Sequence, residues 1–154
     1  MSERHPVFSG RVALVTGASG GIGSALCRSL ALEGARAAIH YCRNRASAEA
    51  VAASVESAYS QAYIFRADLA NPASADRLVE EVEAAMGPLD VLVANAGVSG
   101  RGSYEEVDGV AFDEAIAVNL RAPCPRPPAP SHRGRRLLAR HRAAWPPWLP
   151  CLLA

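Results

Sequence analysis

The chain has 154 residues, half of them apolar, which allows one domain with a buried core and excludes the compositions of disordered or collagen-like chains. Its net charge of +1 hides an asymmetry: residues 1–123 carry 10 arginines against all 15 acids, a balance of −5, whereas residues 124–154 carry 6 arginines and no acid. Every one of the 16 basic residues is arginine, so chemistry that requires a lysine is excluded.

The N-terminus MSERHPVFSGR has no apolar segment of the signal-peptide kind, and no apolar run reaches membrane-spanning length. Cys27, Cys42, Cys124 and Cys151 lack the spacing of a zinc site or a disulfide framework, and the four histidines suggest no metal site. These features predict a cytoplasmic protein with reduced thiols and no membrane partner.

Val12 to Thr16 reads as a first strand. The loop Thr16-Gly17-Ala18-Ser19-Gly20-Gly21-Ile22-Gly23 follows and opens a helix whose apolar positions Ile22, Ala25, Leu26 and Leu30 recur at helical spacing and which stops near Gly34. A glycine loop set between strand and helix is a phosphate cradle. Gly17 permits the tight turn, Gly21 and Gly23 permit close approach, and the helix N-terminus faces an anion such as a dinucleotide pyrophosphate.

A second strand is predicted over Arg36–Tyr41, an Ala-rich helix over Ala46–Ala58 and a third strand over Ala62–Arg66. Asn71 and Pro72 then start a helix carrying Leu78, Val79, Val82 and Met86 on one stripe, which Gly87-Pro88 ends. Leu89–Ala94 reads as a fourth strand, apolar enough for burial on both faces, and Phe112–Leu120 begins another helix. Strands alternating with helices at this spacing predict an α/β fold: a Rossmann-type, doubly wound parallel sheet.

With the loop Thr16 to Gly23 in place, the sequence resembles the short-chain dehydrogenase/reductase family, whose motif T-G-x-x-x-G-x-G is matched in full. The resemblance runs from about Gly10 to Ala122. It implies that Thr16, Gly17, Ser19, Gly20, Gly21, Ile22 and Gly23 hold the dinucleotide and that Asp68, with Leu69, meets the adenine amino group. It further implies that Asn95-Ala96-Gly97 lines the cofactor site and that Asn119 helps hold a water in a proton relay.

At the end of the second strand, where a carboxylate would bind the ribose 2′-hydroxyl, stands Tyr41, followed by Cys42, Arg43, Asn44 and Arg45. Without a carboxylate there, and with Arg43 or Arg45 able to pair with a 2′-phosphate, NADP(H) is favoured over NAD(H). The alternative is that both arginines face solvent. Members of the family, including the similar 3-oxoacyl-carrier-protein reductases, transfer hydride between the nicotinamide and a small ketone or secondary alcohol.

The family completes that reaction with a serine and a Tyr-x-x-x-Lys pair. The chain has no lysine and its last tyrosine is Tyr104, so Asn119 alone of the family's catalytic residues is matched. By family spacing the serine falls near Ala144 and the tyrosine beyond Ala154, and Ser131 stands in the wrong context. From Cys124 the chain holds 7 of its 11 prolines and both tryptophans, a composition that fits no regular element.

Residues 1–123 are therefore read as the dinucleotide-binding half of the domain, with about four strands, and residues 124–154 as an irregular, out-of-frame tail. The expectation is a catalytically dead chain, its family's homo-oligomer doubtful and the edge of the fourth strand left unpaired. Two alternatives stay open: a non-catalytic dinucleotide-binding module, and an interaction protein acting through the tail. For the tail, Pro125, Pro127, Pro128 and Pro130 suit an SH3-like partner and Arg133 to Arg142 suit phosphates, but no nucleic-acid motif accompanies them.

Overall fold

The computed structural model describes residues 6–57, 60–99 and 108–123. The tail from Cys124, together with Tyr104 and Ser131, lies outside the described residues. In chain order the elements are β1 (Val12–Val15), α1 (Gly21–Leu32), β2 (Arg36–Tyr41), α2 (Arg45–Glu56), β3 (Ala62–Arg66), α3 (Pro72–Met86), β4 (Val91–Val93) and α4 (Gly109–Ile116). A π-helical turn, Ala117–Arg121, continues α4.

The strands form one sheet in the order β3-β2-β1-β4, and every pair is parallel. Val15 pairs with Ile39 and Val93, and Ile39 with Ile64. One face of the sheet buries Val15, Ile39 and Tyr41 with Cys27, Ala31, Val51 and Val55 of α1 and α2. The other buries Leu14 and Ala38 with Leu78, Val82 and Met86 of α3. Helices on both faces make the sheet doubly wound. The chain winds outward through β1, β2 and β3, then returns to the far side of β1, so a topological switch point lies between β1 and β4.

Local sequence explains most boundaries. Asn71 accepts a hydrogen bond from the Ala73 N–H at 3.0 Å, and Pro72 occupies the first turn of α3. Gly34, with φ +85°, ends α1 as the Ala35 N–H reaches back to the Leu30 carbonyl at 3.0 Å. Outside β1, the Asp90 carboxylate holds Arg11 at 2.6 Å and the Val12 N–H at 3.0 Å, pinning the start of the sheet.

Two expectations fail. Ile22 is 75% exposed; the fully buried residues of α1 are Gly23, Cys27 and Ala31, one position on from the predicted stripe, of which Leu26 and Leu30 pack partly buried against the same cluster. The smallest residues face inward because the helix start passes close to its own loop. A Cβ on Gly23 would lie 2.7 Å from the Gly17 carbonyl oxygen and 2.8 Å from the Ala18 Cα. Nor is β4 buried on both faces: Leu92 is 43% exposed, since among the described residues β4 pairs only with β1.

Burial pushes the Cys27 thiol up to about 11, so at neutral pH it stays protonated and shielded. Iodoacetamide at pH 7.5 is expected to spare Cys27 in the folded protein while reaching half-buried Cys42, with Cys27 modified only after denaturation. Peptide mass spectrometry reads the difference.

Candidate functional site

The ends of β1 and β4 are fastened to each other at the switch point. Thr16 Oγ1 accepts the N–H groups of Asn95 and Ala96, both at 3.0 Å. Asn95 Nδ2 donates to the carbonyl oxygens of Thr16 at 2.9 Å and Gly17 at 3.4 Å. Gly17 takes a left-handed φ of +64°, and a Cβ there would stand 2.8 Å from the Ala96 Cα. Gly97 sits beside this lock, exposed.

From Gly17 the loop climbs to α1 by internal bonds: the Gly20 N–H donates to the Gly17 carbonyl at 3.1 Å and the Ser24 N–H to the Gly20 carbonyl at 2.8 Å. Ser19 is half-buried, whereas Gly20, Gly21 and Ile22 are exposed. Gly20 is the N-cap of α1 and brings no side-chain hydrogen bond to the first turn. The other three α-helices are capped by Asn44, Asn71 and Asp108, each accepting a backbone N–H. A Cβ added to Gly21 would meet nothing within 4 Å.

His40, given no role by its sequence, holds this loop from below. The imidazole is 2% exposed; its Nδ1 accepts the Gly17 N–H at 3.0 Å and its Nε2 stands 3.1 Å from the Ala67 carbonyl oxygen. The His40 carbonyl also accepts the Ala18 N–H at 2.9 Å. Burial lowers the imidazole below its ordinary pKa, against a smaller upward pull from the Ala67 carbonyl. The sequence signal was the alternation of β2, which places His40 on the same face as buried Ala38.

At the end of β2 the Tyr41 side chain turns into the core, 5% exposed among the residues of α1 and α2. Arg43, Asn44 and Arg45 project instead. Arg43 pairs with Glu114 of α4 at 3.2 Å and Arg45 with Glu49 at 2.8 Å, so neither simply faces solvent. Both pairs are exposed and screened by solvent, little hindrance to a competing phosphate dianion. Asn44 Oδ1 accepts the Ser47 N–H at 3.0 Å.

After β3, Asp68 is exposed and its Oδ1 accepts the Ala70 N–H at 3.0 Å. Leu69 beside it is 8% exposed and belongs to the core under α3. On the π turn, the Asn119 side chain bonds both polar groups of the Val98 backbone, accepting the N–H and donating to the carbonyl at 2.8 Å each. This two-point clamp fastens the segment after β4 to α4. Among the described residues no group of three His, Cys, Asp or Glu could hold a metal, and no helix is long and apolar enough to cross a membrane.

The glycine loop, the Asp68 turn and the Asn95-Ala96-Gly97 turn thus all leave the same end of a parallel sheet, and the sequence profile of the short chain dehydrogenases matches residues 11–125. The chain belongs to the short-chain dehydrogenase family. Versicolorin reductase 1 of Aspergillus parasiticus is 35% identical to this chain over 121 residues, 79% of the chain and 46% of the relative. A Burkholderia cenocepacia short chain dehydrogenase solved in complex with NADP is 40% identical with a TM-score of 0.71, over 75% of this chain and 47% of that one. A metagenomic blue fluorescent protein solved with NADPH is 38% identical with a TM-score of 0.70, over 75% and 48%. The chain spans less than half the length of these relatives.

Proposed function

We propose that residues 11–123 are the dinucleotide-binding half of an NAD(P)(H)-dependent oxidoreductase, that they bind NADP(H) in preference to NAD(H), and that the 154-residue polypeptide does not itself reduce carbonyls. The observation that carries the binding half of this reading is the bare N-terminus of α1. Its first turn has no side-chain cap, and a glycine stands over open space where the pyrophosphate would approach.

The pyrophosphate would be held by the amides after Gly20, and the adenine by Asp68. Arg43 or Arg45 would exchange its glutamate for the 2′-phosphate, with Tyr41 only supporting the strand from within. In a complete domain of this family, NADPH held this way would supply the hydride for carbonyl reduction. The solved relatives that hold NADP and NADPH support the choice of cofactor.

Calorimetric titration with NADP+ and NAD+ tests the reading, and one glycine sharpens it. Gly21→Ala is expected to leave the melting temperature unchanged, since its methyl meets no protein atom within 4 Å, yet to weaken NADP+ binding about tenfold by intruding on the phosphate. Equal binding by wild type and Gly21→Ala would remove the pyrophosphate from this loop.

The alternative, a dinucleotide-binding module with no enzymatic ancestry in use, shares the same site. A carbonyl-reduction assay on the polypeptide joined to the downstream half of a relative separates the two. Restored turnover marks the oxidoreductase half.

A further inference from the structure

Gly17 donates its N–H to His40 Nδ1, so that nitrogen carries a lone pair and the proton of the neutral ring lies on Nε2, where it donates to the Ala67 carbonyl. One buried ring therefore joins the turn after β1, which bears the glycine loop, to the turn after β3, which bears Asp68. The Gly17 N–H has no second role open to it, because the ring occupies it from inside the protein.

We infer that His40 is a positioning residue, which in its neutral Nε2–H form sets the glycine loop for the dinucleotide and makes cofactor affinity depend on pH. The inference rests on the dinucleotide reading above. Protonation would put a second N–H on Nδ1, facing the Gly17 N–H at 3.0 Å, and leave a cation in a site 2% exposed. The loop must then turn away or the ring must leave.

Little charge on the surrounding elements opposes this. The turn from Thr16 to Gly21 carries no ionisable side chain, and Asn95 after β4 is a neutral amide. From β3 and its turn, Arg66 and Asp68 are both exposed, Arg66 donating to the Cys42 carbonyl and Asp68 accepting from Ala70. On β2 itself, Tyr41 points to the opposite face. α3 faces this side of the sheet with Leu78 and Val82; of its ionisable residues, Arg77, Glu80, Glu81 and Glu83 are exposed and Asp76 is half-buried.

The sign follows from the lowered pKa. The native state holds fewer protons on His40 than the unfolded state, so its contribution is complete above the ordinary imidazole value of 6.5 and is lost as the pH falls below it. Affinity for NADP+ should be flat from pH 7 to 8 and fall on the acid side, approaching about tenfold per pH unit once the ring titrates.

The test compares wild type, His40→Asn and His40→Leu, using NADP+ titrations from pH 5 to 8 and amide hydrogen exchange of Gly17. Asn places an acceptor one bond beyond Cγ, as Nδ1 is, but does not titrate; Leu fills space without an acceptor. His40→Asn should bind within about threefold of wild type at pH 7.5 and lack the extra acid loss, the 2′-phosphate's own titration being common to both. His40→Leu, with its fold checked by circular dichroism, should lose at least tenfold in affinity and its Gly17 protection.

Identical acid limbs in wild type and His40→Asn, or wild-type binding by His40→Leu, would overturn the inference. If wild type binds no NADP+ while Gly17 stays protected in wild type and His40→Asn but not in His40→Leu, the positioning role stands and the dinucleotide reading falls. Should His40→Leu not fold, the acid limbs of the other two decide.

Discussion

The purified polypeptide, mixed with NADPH and a panel of ketones, is expected to oxidise no cofactor above the protein-free rate. Hydride arriving at a carbonyl carbon leaves charge on oxygen, which a placed acid must neutralise; such an acid is worth about 10²- to 10⁴-fold. No lysine exists to sharpen a tyrosine. Of the described tyrosines, Tyr41 lies in the core and Tyr63 within β3, on the far edge of the sheet from β4. The Asn119 amide is engaged at both ends by Val98. The near-ultraviolet absorbance of NADPH follows the result. Turnover that survives removal of contaminating reductases would refute the reading.

A second large effect is expected at the glycines that face protein. Gly17→Ala adds a left-handed residue at φ +64° and a Cβ 2.8 Å from the Ala96 Cα. Together strain and overpacking should cost about 2–5 kcal/mol. Gly23→Ala drives a methyl within 2.7 Å of both Asn95 Nδ2 and the Gly17 carbonyl, so the start of α1 must lift off the loop. Thermal unfolding should show both variants melting roughly 10 °C or more below wild type, at about 4–8 °C per kcal/mol for a domain of this size. Gly21→Ala is the internal control. Wild-type melting by Gly23→Ala would mean that α1 and the loop do not approach as described.

What the sequence made legible was local. Asn71-Pro72 and Gly34 act within a few residues of themselves, so the start of α3 and the end of α1 could be read directly. The strands β2 and β3 fell where their apolar runs lie between turns. Ile22 misled because an apolar residue at helical spacing fits a core stripe, while the real stripe is dictated by how near Gly23 passes to Gly17. Leu92 misled because an apolar run does not reveal whether a neighbouring strand covers it.

In the candidate site, the glycine motif and the turns at Asp68 and Asn95 were legible as patterns, but their bonds were not. Arg43 and Arg45 meet glutamates, one of them 71 residues away, and Tyr41 points inward from a position where the pattern suggested a ligand contact. The alternation of β2 marked His40 as inward-facing, but its partners were invisible because both are backbone groups, 23 and 27 residues distant, which no motif records.

The order in which these ties span the chain bears on synthesis. Gly17, His40 and Ala67 are all synthesised before Asn95, and the β1–β2–β3 crossovers join immediate neighbours. The Thr16–Asn95 lock, separated by 79 residues, closes only when β4 crosses back past two strands. In the order of synthesis, the groups that tie the glycine turn to the histidine thus become available before the bolt from β4, which can close only on a chain that already carries them.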